Sequence, residues 1–282
     1  MIKKIGIRNS TIYLFCLLII YLTFIYKIPV DVVSAKYYEY EDKLAFRGIY
    51  FTKESVIYNQ PKENLPNINV ENGSRVSKGT KISGGLTNNE VGIMLFNVDG
   101  YENKYNLENI MSLNLSEMDK IINKSTNSYG IKVIDSDNLY LYGYIGKDGG
   151  FKKNQKLYML INNKKYLFKV IDIASRKEGN FLVIKMIDDI EYKNLHRGIS
   201  GDIIKSNYSG IKVPSNTIIM KDSEYKVLVR KSNGYVVEKG INVLYDDSEG
   251  AIIEPKQGST LAQYDEIIVN PSYRIKDGTR VR

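Results

Sequence analysis

Tryptophan is missing from this chain, and cysteine and histidine occur once each, as Cys16 and His196. A single cysteine excludes a disulfide within the chain and any Cys-based zinc site. A single histidine removes the His clusters of most metal centres and catalytic triads. Long blocks of like charge are also missing: no Lys/Arg run exceeds a pair, although the net charge over 282 residues is +8. Lys3, Lys4 and Arg8 carry three of those charges within the first ten residues, and the rest are spread thinly. Specific nucleic-acid binding needs a focused basic patch, so no nucleic-acid partner is expected. With 43% hydrophobic and 26% charged residues, the chain is neither a disordered tail nor a multi-pass membrane protein. One or two compact domains fit.

The strongest local signal is the run from Ile12 to Tyr26, in which Thr23 is the sole conventional polar side chain. As a helix, Thr11 to Ile28 would span about 27 Å, close to a hydrocarbon core of about 30 Å once Lys27 snorkels to the interface. Lys3, Lys4 and Arg8 precede this run, so the positive-inside rule keeps the N-terminus cytoplasmic and exports the chain from about Asp31 onward. The competing reading is a cleaved signal peptide, because Val33-Ser34-Ala35 resembles a cleavage site. The tyrosines inside the run and the late position of the small residues favour a retained anchor.

Beyond the anchor, continuous hydrophobicity gives way to alternation broken by Gly, Asn and Asp, which predicts antiparallel sheets. Leu139 to Ile145 alternates aliphatic residues with tyrosines, so one face is buried. The tyrosine face reads as the outer surface of a barrel strand, or else as a partner-binding strip. Asn162-Asn163 and Asn233-Gly234 each separate two apolar runs and predict hairpins. A helix is predicted over Asn106 to Lys124, split into two short pieces, with Ser116 as a cap before Glu117.

Two separated stretches carry a family resemblance. Val70 to Ile82 reads V-x-x-G-x-x-V-x-x-G-x-x-I, with turns at Gly73 and Gly79 and Val70, Val76 and Ile82 pointing into one small core. A second half, Val91 to Glu102, enters a turn at Asp99-Gly100. Near the C-terminus, Val213-Pro214-Ser215-Asn216-Thr217-Ile218 is followed by the Asn233-Gly234 hairpin, then by Asp265 to Pro271 and Asp277-Gly278-Thr279-Arg280-Val281. The first stretch resembles the lipoyl/biotinyl-type half-motif of HlyD-like membrane-fusion (adaptor) proteins. The second resembles the membrane-proximal domain of the same family, with Thr217 where Ala is usual and Tyr264 where Gly is expected. With the anchor, the resemblance covers nearly the whole chain in family order.

It implies a mainly β protein: cytoplasmic N-terminus 1–10, transmembrane anchor 11–28, lipoyl-like (barrel-sandwich) domain 43–102, short helical segment 103–125, β-barrel 128–208 and membrane-proximal-like β domain 209–282. The long helical hairpin that separates the lipoyl halves in adaptors bridging two membranes has no room in Ser83 to Glu90. This chain therefore resembles a member suited to a single-membrane envelope. The same interval holds no Lys, so the carrier lysine of lipoyl and biotinyl domains is missing too, and Lys185-Met186 lies in a run that reads as strand. Gly143, Gly146, Gly149 and Gly150 lack phosphate-loop spacing and read as loops. His196 has no partner in sequence to make it a base or ligand, and Asp188-Asp189 and Asp246-Asp247 read as solvated turns. No catalytic residue, cofactor or metal is expected. The resemblance implies a non-enzymatic adaptor subunit of an efflux or secretion transporter, whose partners are the plasma-membrane bilayer, a transporter subunit of that membrane and further copies of itself. The alternative is a cell-envelope structural protein, in division or wall assembly, that keeps the fold without transport.

Overall fold

A computed structural model describes residues 15, 17, 28–60, 67–123, 130–147 and 149–282. Lys3, Lys4 and Arg8 and most of the expected anchor 11–28 lie outside these residues. Among the described residues no helix is long and apolar enough to cross a membrane. In chain order the strands are β1 (Val32–Ser34), β2 (Lys36–Phe51), β3 (Glu54–Tyr58), β4 (Arg75–Val76), β5 (Lys81–Ser83), β6 (Leu86–Thr87) and β7 (Gly92–Leu95). A 3-10 turn at Ile110–Ser112 then leads into a short helix, α1 (Leu115–Asn123). The strands resume with β8 (Ile131–Ile134), β9 (Tyr140–Tyr144), β10 (Lys156–Ile161), β11 (Lys164–Arg176), β12 (Gly179–Met186) and β13 (Gly198–Val213). The last are β14 (Ile218–Lys221), β15 (Glu224–Arg230), β16 (Val236–Asp247), β17 (Gly250–Pro255) and β18 (Glu266–Ile268). The chain is thus mainly β, and it forms two compact units: residues 41–206, and residues 1–40 with 207–282.

Unit 41–206 holds a six-stranded barrel in the order β13-β10-β11-β12-β9-β2, closed by pairing of β13 with β2. Closure leaves the barrel no free sheet edge. Phe46, Leu141, Met159, Phe168, Leu182 and Ile203 fill it, each at most 1% exposed. The β10–β11 hairpin turns at Asn162 and Asn163, both at positive φ (50° and 62°), as the Asn-Asn pair predicts. Gly48 pairs directly with Gly143. A Cβ on Gly143 would stand 2.3 Å from Cζ of Phe46. Gly143 is therefore a strand residue that admits the Phe46 ring, and not the loop residue its glycine-rich neighbourhood suggested.

The tyrosines of β9 do face outward from the barrel, but solvent does not reach the central one. Tyr142 is 0% exposed. The 3-10 turn and α1 lie across it, so that Tyr142, Phe181, Ile110, Leu113, Met118 and Ile121 form a second core outside the barrel. Its hydroxyl donates to the Leu113 carbonyl at 2.7 Å, which satisfies a buried group, and its ring stacks on Phe181 with centroids 5.4 Å apart. Alternation along one strand cannot reveal that a helix from elsewhere in the chain covers the polar-looking face. The helix cap also differs from expectation. Asn114, not Ser116, accepts the Glu117 amide at 2.9 Å, and Glu117 reaches back to the Asn114 amide at 3.3 Å. This is a reciprocal capping box two residues earlier than expected, with Ser116 inside α1.

The same unit contains a four-stranded sheet in the order β3-β8-β7-β4 and a two-stranded hairpin, β5-β6. The other unit is a sheet in which β1, β18, β15, β16 and β17 lie in order and the end of β13 follows, with β14 also on β15. Successive residues alternate between its faces: Val227, Val229 and Ile267 enter one core, and Leu228 and Ile268 the other. Val33-Ser34-Ala35, the cleavage-like tripeptide, is built into this sheet. Val32, Val33 and Ser34 pair with Ile268, Ile267 and Glu266, and Ala35 is 0% exposed.

Candidate functional site

Glycine spacing in Val70 to Ile82 sets the local path. Gly73 lies at φ 84° and donates its amide to the Met94 carbonyl at 2.8 Å. Gly79 lies at φ 89° and donates to the Asn88 carbonyl at 2.7 Å. Side chains with a Cβ rarely adopt this conformation, so the two glycines fold the first half back onto the second. Val76 and Ile82 then share a core with Met94, Ile131 and Val133, and Val70 packs at its edge. Asn88, 0% exposed, clasps the halves: its side-chain amide donates to the carbonyls of Ser77 and Glu90, and its oxygen accepts the Glu90 amide. Sequence reasoning passed over Asn88, because nothing in its neighbourhood marks it as buried. Between β5 and β6 the tip is the dipeptide Gly84-Gly85. No amine stands there to carry a lipoyl or biotinyl group. Lys185 lies within β12 and donates to Asn138 at 2.9 Å.

Asp99-Gly100 forms the expected turn, with Gly100 at φ 80° and the Asp99 carboxylate accepting the Tyr101 amide at 3.0 Å. It also does something a turn motif does not announce. Arg197, 2% exposed and immediately before β13, sends Nε and Nη2 to the two Asp99 oxygens at 2.9 and 3.0 Å. Its Nη1 and Nη2 reach both Glu54 oxygens at 2.5 and 3.0 Å, and Nη1 also donates to the Tyr50 carbonyl at 3.2 Å. All five donors of the guanidinium are used. Lys132 of β8, wholly buried, lies 2.8 Å from Glu54 and 3.1 Å from Glu102. Glu102 in turn accepts the amides of Asp99 and Gly100. The Tyr50 ring sits under the Arg197 guanidinium, 4.3 Å from its centroid.

Burial and charge compete in this cluster. Burial alone would raise the Asp99 carboxyl, but the hydrogen bonds and charge of Arg197, with Lys132, hold it below the usual carboxylate range. Burial works against the charge on Lys132 and Arg197, yet Tyr50 and Glu54, with Asp99, hold both above their ordinary values. Burial pushes the Tyr50 phenol up. Three carboxylates thus face two cations whose donors are taken, which suits a lock more than a reaction centre. Among the described residues no group of three His, Cys, Asp or Glu is placed to hold a metal. Spacing could not have found this cluster. Its one visible trace is a Lys amid the apolar strand Ile131-Lys132-Val133-Ile134.

The C-terminal motif residues form turns and strand ends of the other unit. Val213 is 1% exposed and pairs with Ala251. Pro214 begins a 3-10 turn in which the buried Thr217 hydroxyl donates to its carbonyl at 2.8 Å. Gly234 turns at φ 82° behind Asn233, whose side chain accepts the Tyr235 amide at 3.1 Å. Asp277 accepts the Glu238 amide at 3.0 Å, and Gly278 lies at φ 77°. Tyr264, where the resembled pattern has Gly, keeps a glycine-like φ of 70° with its side chain 67% exposed. His196 is exposed, and Asp188, Asp246 and Asp247 accept nearby amide or hydroxyl protons.

Three measurements follow from this geometry. Arg197→Met should destabilise unit 41–206 by about 3–5 kcal/mol in denaturant unfolding, because Glu54 and Asp99 lose their partner while buried. Asp99, with its folded value depressed, contributes stability that is present above its ordinary carboxylate range and lost as pH falls through the folded value. Wild type should therefore lose stability more steeply than Asp99→Asn below about pH 4. Tyr264→Gly should raise stability by roughly 0.5–1 kcal/mol, since relief of left-handed strain exceeds the added chain entropy of glycine.

No protein-family model matches the chain, and no curated protein matches it in sequence. Among solved structures it is similar to ZneB from Cupriavidus metallidurans, at 11% identity, 88% of this chain, 94% of that chain and a TM-score of 0.28. It is also similar to the membrane fusion protein Spr0693 from Streptococcus pneumoniae R6, at 13% identity, 58% of this chain, 100% of that chain and a TM-score of 0.27. A candidate efflux transporter from Bacteroides eggerthii DSM 20697 is similar at 12% identity, 92% of this chain, 97% of that chain and a TM-score of 0.32.

Proposed function

We propose that this chain is a membrane-anchored, non-enzymatic adaptor of an efflux or secretion transporter, held by a single N-terminal span with its β units outside the plasma membrane. The observation that carries the reading is the lipoyl-like half-motif itself. Gly73 and Gly79 adopt the left-handed turns the motif needs, its apolar positions share one core, and its tip bears no lysine. A carrier scaffold without its carrier residue holds and positions parts and makes no bond. The run Ile12 to Tyr26 and the basic residues before it support the anchor and its orientation. Residues 32–35 belong to the sheet of their unit, which favours a mature chain that keeps them.

The two-residue tip at Gly84-Gly85 favours a second reading, a cell-envelope structural protein that has given up transport along with the long helical arm. Crosslinking in intact cells, followed by affinity purification from membranes in mild detergent, separates the two. Transporter subunits recovered in fixed proportion, with sister copies, are the expected result. Recovery of wall-synthesis or division proteins without a transporter would replace the adaptor reading by the second one.

A further inference from the structure

Unit 41–206 carries a cleft of about 480 Å³ where three short segments converge: the end of β2, the turn 103–108 and the loop between β8 and β9. Tyr105 and Tyr140, both half-buried, supply aromatic surface, and Phe51, 3% exposed, backs the Tyr140 ring from the core. Phe51 and Tyr140 are cross-strand partners, stacked with centroids 5.4 Å apart and planes 19° off parallel, so this surface is set by the barrel. One wall is equally fixed. The Asp135 carboxylate accepts the backbone amides of Asp137 and Asn138 and the side-chain amide of Asn138, whose oxygen takes Lys185. Three polar tips remain at the rim. The Glu108 carboxylate and the Asn106 side-chain NH2 meet no partner among the described residues, and Lys53 has only Glu90, at 3.7 Å.

We infer that this cleft binds an uncharged saccharide segment. Sugar rings present an apolar C–H face and a periphery of hydroxyl groups that both donate and accept. Aromatic surface beneath planar polar tips is the complement of that pattern. Charge selects against the other small polar classes. The Asp135 carboxylate is already met by three hydrogen bonds, and at the rim the Glu108 carboxylate and the Lys53 ammonium oppose one another in sign, so a neutral polyhydroxylated ring can donate to the one and accept from the other while carrying no charge of its own. The volume lies within the roughly 300–1,000 Å³ of pre-formed small-molecule sites. The inference is independent of the adaptor reading, because no feature of the cleft belongs to the lipoyl-like or C-terminal motifs.

The test uses the full chain in a zwitterionic detergent free of sugar headgroups. Saturation-transfer NMR and calorimetry are run with cellotetraose and chitotetraose, and with tetragalacturonate and tetramethylammonium as charged competitors. The expected result is binding of at least one neutral tetrasaccharide with Kd at or below about 1 mM. Glu108→Ala and Lys53→Ala, both at exposed positions, should each weaken it at least about tenfold while leaving the unfolding midpoint unchanged. Glu108→Met and Lys53→Met, which keep the aliphatic stem and lose the polar tip, serve if either alanine variant unfolds. Absence of binding by both neutral probes, tighter binding of either charged probe, or unchanged affinity in the variants would overturn the inference.

Discussion

The contact on which unit 41–206 depends is the paired grip of Arg197 on Glu54 and Asp99. It joins positions 143 and 98 residues apart in sequence. Taking these charges from water costs several kcal/mol each, and the cost is offset only if every donor and acceptor is met in good geometry. Here the five guanidinium donors, the Lys132 ammonium and the backbone amides at Asp99 and Gly100 meet that condition. The grip ties the start of β3 and the turn after β7, both at the four-stranded sheet, to the residue that launches β13 of the barrel. The buried Tyr50 hydroxyl beside them has no hydrogen-bond partner among the described residues, but the charged members are met, and any shift of these would strand a buried charge.

That rigidity is what the proposed scaffold role requires. The turns and core beside the four-stranded sheet are held by Gly73, Gly79 and Asn88, and the β5-β6 hairpin ends in Gly84-Gly85, with no amine at its tip. The barrel fills its interior with Phe46, Phe168 and Leu182 and buries a second core under α1. The converging loops outside these cores leave the aromatic cleft at Tyr105 and Tyr140. Loops displayed on a packed barrel suit recognition, since the barrel fixes where the side chains stand.

Much of the fold was legible locally. Asn162-Asn163 and Asn233-Gly234 turn where their φ tolerance says they should, and the alternation of Val227, Leu228 and Val229 divides between two cores. At the two departures, the Thr217 hydroxyl finds a carbonyl and Tyr264 takes a left-handed φ. What misled was context. Tyr142 looks like a surface tyrosine until a helix covers it, Ser116 looks like a cap until Asn114 takes the Glu117 amide, and Gly143 looks like a loop residue until Phe46 needs its missing side chain.

The division between sequence and tertiary structure follows the range of the forces involved. Turn glycines, strand alternation and the apolar N-terminal run are dictated by sterics and solvation within a few residues, so the chain alone determined them. Burial of Lys132 and Arg197, closure of β13 on β2, and the meeting of three segments at the cleft bring together residues tens of positions apart in sequence. No local pattern encodes those meetings, and only the closed sheets decided them.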